Sequence, residues 1–146
     1  MDTVTLNEEC LADGLAFFIA PVSTTIPNGF SGGNLGIYGT STSLFAVEYD
    51  IYANSEWDSS YLHVGININS KTSSSVTRFE GSLDKVVTAR IEYVSNTKTI
   101  TVTTNYASKT STLSYVHDLK DTLPQQVRVG ISAATGVLAA NFDILA

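Results

Sequence analysis

The stretch Phe45-Ala46-Val47-Glu48-Tyr49-Asp50-Ile51-Tyr52-Ala53-Asn54-Ser55-Glu56-Trp57-Asp58-Ser59-Ser60-Tyr61-Leu62-His63 decides how this chain reads. Its first half alternates. Phe45, Val47, Tyr49 and Ile51 fall on one face, and Ala46, Glu48, Asp50 and Tyr52 on the other, as the two-residue period of a strand requires. Glu48 and Asp50 therefore project to the same side, which a shared cation needs. Its second half is a loop that adds Asn54, Asp58 and His63 to the donor set. Carboxylates and an amide suit calcium, while carboxylates plus an imidazole suit manganese or another transition metal. Taken alone, two acids on one strand read equally as a solvated face, and a lone histidine as structural. Their company in one short stretch favours a metal site.

The rest of the chain has the same character. Short β-type segments are separated by clusters of Gly, Ser, Asn and Pro, which predicts an all-β sandwich in one domain. Gly14–Ala20 is an apolar run of strand length, and His63–Ser70 alternates His63, Gly65, Asn67 and Asn69 against Val64, Ile66 and Ile68. A hairpin is expected from Val86–Val94 through Ser95-Asn96-Thr97-Lys98 to Thr99–Tyr106. Strands are expected at Ser111–Leu119 and Gln126–Ala133, with a turn or short helix around Asp121–Pro124. Phe142-Asp143-Ile144-Leu145-Ala146 reads as the start of a further strand. The five glycines of Asn28–Gly39 are too irregular for a phosphate loop, with no GxGxxG and no Walker lysine.

Charge and composition exclude several classes. The net charge is -6 and the eight basic residues are scattered, so there is no footprint for nucleic acid or an anionic membrane. No apolar run reaches the roughly 18–20 residues of a membrane span. The single Cys10 has no partner for a disulfide or a metal. Met1–Glu9 has neither the basic end nor the apolar middle of a signal peptide, and residues 1–11 read as an acidic leader before a domain spanning 12–146. His117 is expected on an exposed strand position, and Trp57 as a wedge within the ligand-rich loop.

Several runs resemble the legume lectin family: Ala12-Asp13-Gly14-Leu15-Ala16-Phe17-Phe18-Ile19-Ala20-Pro21-Val22, Ser31-Gly32-Gly33-Asn34-Leu35-Gly36, Ala46-Val47-Glu48-Tyr49-Asp50 and His63-Val64-Gly65-Ile66-Asn67-Ile68-Asn69-Ser70. So does Leu123-Pro124-Gln125-Gln126-Val127-Arg128-Val129-Gly130-Ile131-Ser132-Ala133-Ala134-Thr135-Gly136. The resemblance implies a jelly-roll β-sandwich, here without an N-terminal portion and the end of the last strand. It implies non-catalytic, Ca2+- and Mn2+-dependent binding of mono- or oligosaccharides and glycoproteins. Carried onto this chain, the manganese-type ion takes Glu48, Asp50, Asp58 and His63, with Ser73 at a position holding a metal-bound water. Calcium takes Asp50, Asn54, Asp58 and the backbone carbonyl of Tyr52.

The same resemblance implies a sugar site. Asp13, after a cis Ala12–Asp13 peptide, accepts bonds from sugar hydroxyls, and the Gly33 N–H and the Asn54 amide add to it. Tyr52 is the aromatic platform, and the amides of Val137 and Leu138 close the site. The seven residues between Gly136 and Ile144 look like the short loop of mannose- or glucose-binding members. The family also implies secretion or vacuolar storage, a role in plant defence, and a homo-oligomer or a pairing with a chain that supplies the missing strands. Asn67 departs from the family's usual Asp, and Gln125-Gln126 from an acidic–aromatic pair. Two other readings compete: a defence or storage relative that has lost sugar binding, and a laminarinase-like glycosidase. The second needs paired carboxylates about 5–5.5 Å apart, and Glu56 lies off the required strand spacing.

Overall fold

The computed structural model describes residues 11–26, 28–39, 43–80 and 85–145. Among these residues, eight strands form two antiparallel sheets: β1 (Gly14–Pro21), β2 (Phe45–Asp50), β3 (His63–Ile68), β4 (Ser75–Arg78), β5 (Val87–Val94), β6 (Thr99–Tyr106), β7 (Lys109–Val116) and β8 (Val127–Ala134). The larger sheet has the order β4-β3-β2-β1-β8 and the smaller β5-β6-β7. Short 3-10 turns lie at Gly32–Asn34 and Leu119–Asp121.

The alternation of β2 explains how the layers stack. Phe45, Val47 and Ile51 point between the sheets, where they meet Val64 and Ile66 of β3 and Ile100, Val102, Tyr106 and Leu113 of the smaller sheet. Phe79 links the layers with edge-on contacts to Tyr49 and Tyr106, each with ring centroids 5.6 Å apart. Tyr49, half-buried, reaches across to bond Thr104 Oγ1 at 2.7 Å. On the opposite face of the larger sheet, Ala16, Phe18, Ala20 and Ala46 are covered by Leu35, Ile37 and Tyr38 of the glycine-rich segment and by Leu44, just before β2. Those small alanines let that segment lie close. Toward β8 the smaller sheet no longer covers the inner face, and Val129 and Ile131, paired with Ile19 and Phe17, are 60% and 50% exposed.

Several expectations shift. The hairpin forms, but β7 starts at Lys109 because Ala107, at φ 51°, makes a tight turn directly after Tyr106. β4 has no expected counterpart: its Ser-Val-Thr-Arg sequence is too short and polar to stand out, and pairing with β3 holds it as a strand. Phe142–Leu145 is not a strand, since an apolar run becomes one only where a neighbour completes its ladder, and no described strand pairs there. His117 follows β7 rather than lying on it, and is half-buried with Nε2 2.6 Å from Thr122 Oγ1. Leu11, placed in the leader, is buried in the inter-sheet core; residues 1–10, including Cys10, lie outside the described residues.

Candidate metal and sugar site

Pairing between β2 and β3 sets Asp50 opposite His63 and Glu48 opposite Gly65, so both acids and the imidazole share the outer face of the sheet. Gly65 leaves room there, because a Cβ would collide with Ser73 Oγ. The loop after β2 then folds back. Trp57 and Asp58 donate their backbone N–H groups to the Asn54 carbonyl at 3.2 and 2.9 Å, and Asn54 N–H donates to Asp58 Oδ2 at 2.9 Å. That turn brings Asp58 to the strand pair. Ligand atoms of Glu48, Asp50, Asp58 and His63 all lie within 4.8 Å of one another.

The cluster is buried, with Glu48, Asp50 and His63 at 2%, 3% and 1% exposure. Burial pushes Asp50 up to about 8, the Asp58 and Glu48 charges adding to it against the Tyr52 N–H bond. Burial likewise raises Asp58. His63 is pulled down by burial, but its Glu48 bond (3.2 Å) and the Glu48 and Asp50 charges outweigh that and raise it. Among the described residues no Lys or Arg forms an ion pair with Glu48, Asp50 or Asp58. Three carboxylates, two of them buried and one half-buried, converge with an imidazole in one niche and form a candidate cation site. The donor set fits the two ions expected: carboxylates with an imidazole for one, carboxylates with the Asn54 amide for the other.

Ser73 Oγ lies 2.7 Å from Glu48 Oε1 and 2.9 Å from Asn67 Oδ1, its single proton shared between the two acceptors. Asn67 is fully buried, and its amide also donates to the Ser70 carbonyl at 3.1 Å. An aspartate there could not make that donation. Sequence reasoning missed Tyr38, 3% exposed, whose phenol donates to Glu48 Oε2 at 2.8 Å. Burial, reinforced by the Glu48 charge, raises this phenol well above its usual range, so it stays a donor. No motif marks Tyr38; its only signal was an aromatic beside a glycine-rich run. Lys71 was missed too, with its ammonium 3.4 Å from the centre of the half-buried Trp57 ring.

Next to the carboxylates lies a second convergence. The Ala12–Asp13 peptide is cis, and Asp13 is buried. Asp13 N–H donates to the Ala134 carbonyl at 3.0 Å, and its own carbonyl accepts from Ile51 N–H at 2.9 Å, tying it to β8 and β2. Asp13 Oδ2 and Asn54 Oδ1 are both buried without a hydrogen-bond partner. Burial raises Asp13, helped by the Asp58 charge. A Cβ on Gly33 would stand 2.5 Å from Asn54 Oδ1, and one on Gly136 2.9 Å from Asp13 Oδ2. The glycines therefore leave backbone directly beside both orphaned oxygens. Tyr52 is 41% exposed at the same loop. Val137 is fully exposed and Leu138 half-buried, the Leu138 carbonyl accepting from Gly136 N–H at 3.1 Å.

The chain is similar to known proteins of one family. The legume lectin domain profile matches residues 2–146. Agglutinin-2 of Cladrastis kentukea is 43% identical over 91% of this chain and 50% of its own length. A mannose/glucose-specific lectin of Centrolobium tomentosum is 40% identical over 86% of this chain and 56% of its own. The winged bean acidic lectin, solved with methyl-α-D-galactose, superposes with a TM-score of 0.83 at 36% identity, covering 94% of this chain and 59% of that one. The chain spans about half the length of the curated relatives it matches. Its two antiparallel sheets are those of the jelly-roll lectin sandwich, and the chain belongs to the legume lectin family.

Proposed function

We propose that this protein binds carbohydrate without catalysis, through a site that depends on Ca2+ and Mn2+ or another transition metal. The observation that carries this reading is the pair of orphaned buried oxygens, Asp13 Oδ2 and Asn54 Oδ1, beside the buried carboxylate–imidazole cluster. Asp13 accepts from two sugar hydroxyls, with the N–H groups of Gly33, Val137 and Leu138 as donors around it. Asn54 faces a hydroxyl with one amide atom, and the exposed Tyr52 ring packs on the apolar face of a pyranose. Glu48, Asp50, Asp58 and His63 hold the transition metal, with Ser73 at its water. Asp50, Asn54, Asp58 and the Tyr52 carbonyl hold calcium. Bound cations supply charge neutralisation and fixed ligand geometry, and no bond-breaking chemistry.

The preferred sugar is proposed to be mannose or glucose, supported by the short 137–143 loop and by the Centrolobium relative. Glycosidase chemistry is disfavoured because Glu48 is sealed between Tyr38, His63 and Ser73, while Glu56 is exposed. Avidity toward glycoproteins comes from a homo-oligomer or a pairing with a chain that adds strands beyond β8. Residence in a secreted or vacuolar compartment, and a plant-defence role, belong to the same proposal.

Calorimetry of metal-loaded protein with methyl-α-mannoside, methyl-α-glucoside and methyl-α-galactoside tests the reading. A Kd near 1 mM, about 4 kcal/mol, is expected for the first two. Asp13→Asn should weaken it by about 100-fold, since two bonds to a charged acceptor are lost. Stronger galactoside binding overturns the sugar preference, and heat from none of the three sugars overturns the function.

A further inference from the structure

The geometry points to Tyr38 as a positioning residue for the metal centre: its phenol pins one oxygen of Glu48 so that the other is presented to the cation. The inference rests on reading the carboxylate cluster as a cation site, and it goes beyond the ligands assigned to that site. Tyr38 is neither one of the proposed sugar-binding residues nor one of the proposed metal ligands. Its phenol donates to Glu48 Oε2 at 2.8 Å, whereas Oε1 is the oxygen that meets His63 Nε2 at 3.2 Å and Ser73 Oγ at 2.7 Å. The two oxygens of one carboxylate are thus divided: Oε2 faces the apolar layer and Oε1 faces the donor cluster. A carboxylate held at one oxygen cannot spin about its last torsion, so Glu48 offers one donor atom in one direction.

Tyr38 can do this because its own position is fixed. It is 3% exposed among Ala16, Phe18, Leu35, Leu44 and Ala46. Its N–H and that of Ile37 both donate to the Asn34 carbonyl, at 2.8 and 3.0 Å. Gly36 N–H donates to the Phe30 carbonyl at 2.8 Å, and Ser132 Oγ of β8 donates to the Leu35 carbonyl at 2.7 Å. The segment holding Tyr38 is the one that places Gly33 beside Asn54. Tyr38 therefore joins the wall of the proposed sugar site to the carboxylate beneath it.

Tyr38→Phe removes one oxygen and keeps the ring that fills the apolar layer. Metal-stripped parent and variant are titrated with Mn2+ alone, the free ion being read by its EPR signal and the fold by circular dichroism. The expected result is Mn2+ affinity about tenfold weaker in the variant, within the range seen when outer contacts of metal ligands are lost. Parental Mn2+ affinity in a folded variant overturns the role of Tyr38 and leaves the metal site standing. A parent that takes up no Mn2+ overturns both. Where the variant does not fold, the phenolic proton of Tyr38 in the parent decides by NMR: a shift on adding diamagnetic Zn2+ supports the role, and an unmoved resonance overturns it.

Discussion

The two sheets treat charge in opposite ways. In the smaller sheet and its flanks, ion pairs sit at the surface: Arg90 with Glu92 at 2.8 Å, Lys98 with Asp118 at 2.9 Å and Lys109 with Glu80 at 3.5 Å. In the larger sheet Glu48, Asp50 and His63 are buried together, and Asn67 with them. Surface pairs are screened and contribute little to stability. Buried like charges are costly, and a chain keeps them where their geometry serves a ligand. The β5–β7 layer thus reads as support, while β2, β3 and the 51–62 loop are the proposed working part.

Changes in the working part should produce the largest effects on binding. Asp50→Asn removes the proposed shared ligand of both cations, and metal and sugar affinity should each fall more than about 100-fold, read by calorimetry. Retained binding would erase the contrast between the sheets. In the support layer, Ile100→Ala deletes a fully buried side chain and should cost about 2–5 kcal/mol in chemical denaturation. Sugar affinity per folded molecule should stay at the parental value.

A pH experiment sharpens the same contrast. With Asp50 raised from 3.8 to about 8, the metal-free native state binds more protons than the unfolded chain across that window, so stability should fall as pH rises. Raised His63 works in the same direction, its contribution being lost as pH climbs through its folded value. Asp118, held low by its Lys98 bond, acts oppositely and only near or below 3.8. Thermal melts of stripped protein from pH 4.5 to 8.5 should show a falling midpoint. Saturating Ca2+ and Mn2+ should reverse the slope, because deprotonated ligands favour the metals.

Gly33→Ala is a smaller, local probe. Its Cβ would stand 2.5 Å from Asn54 Oδ1 and 3.0 Å from Trp57 Cζ2, so the Asn54 amide must give way. Sugar affinity should drop about tenfold, near 1.4 kcal/mol, with the melting midpoint close to parental. The smallest effect belongs to Lys98→Ala, whose exposed pair with Asp118 should leave stability and binding unchanged within error.

The sequence made the working part more legible than its support. Alternation in Phe45–Tyr52 placed Glu48 and Asp50 on one face, and the β2–β3 register bears that out. Their ligand roles, and that of Asp13, came from resemblance to a family, because loop closure by Asn54 and Asp58 leaves no periodic signal. Tyr38 stayed hidden since its partner, Glu48, lies ten residues away across a turn-rich segment. β4 stayed hidden since a four-residue polar strand exists only through its neighbour. Phe142–Leu145 misled because apolar content says nothing about a ladder partner.

The central claim is that the buried cluster of Glu48, Asp50, Asp58 and His63 is a cation site that poises Asp13 and Asn54 for a sugar. The most direct measurement is methyl-α-mannoside calorimetry on one preparation: as purified with metals, after stripping with acid and EDTA, and after restoring Ca2+ and Mn2+. The account predicts binding, loss of binding, and recovery. Undiminished sugar binding by the stripped, folded protein would contradict it.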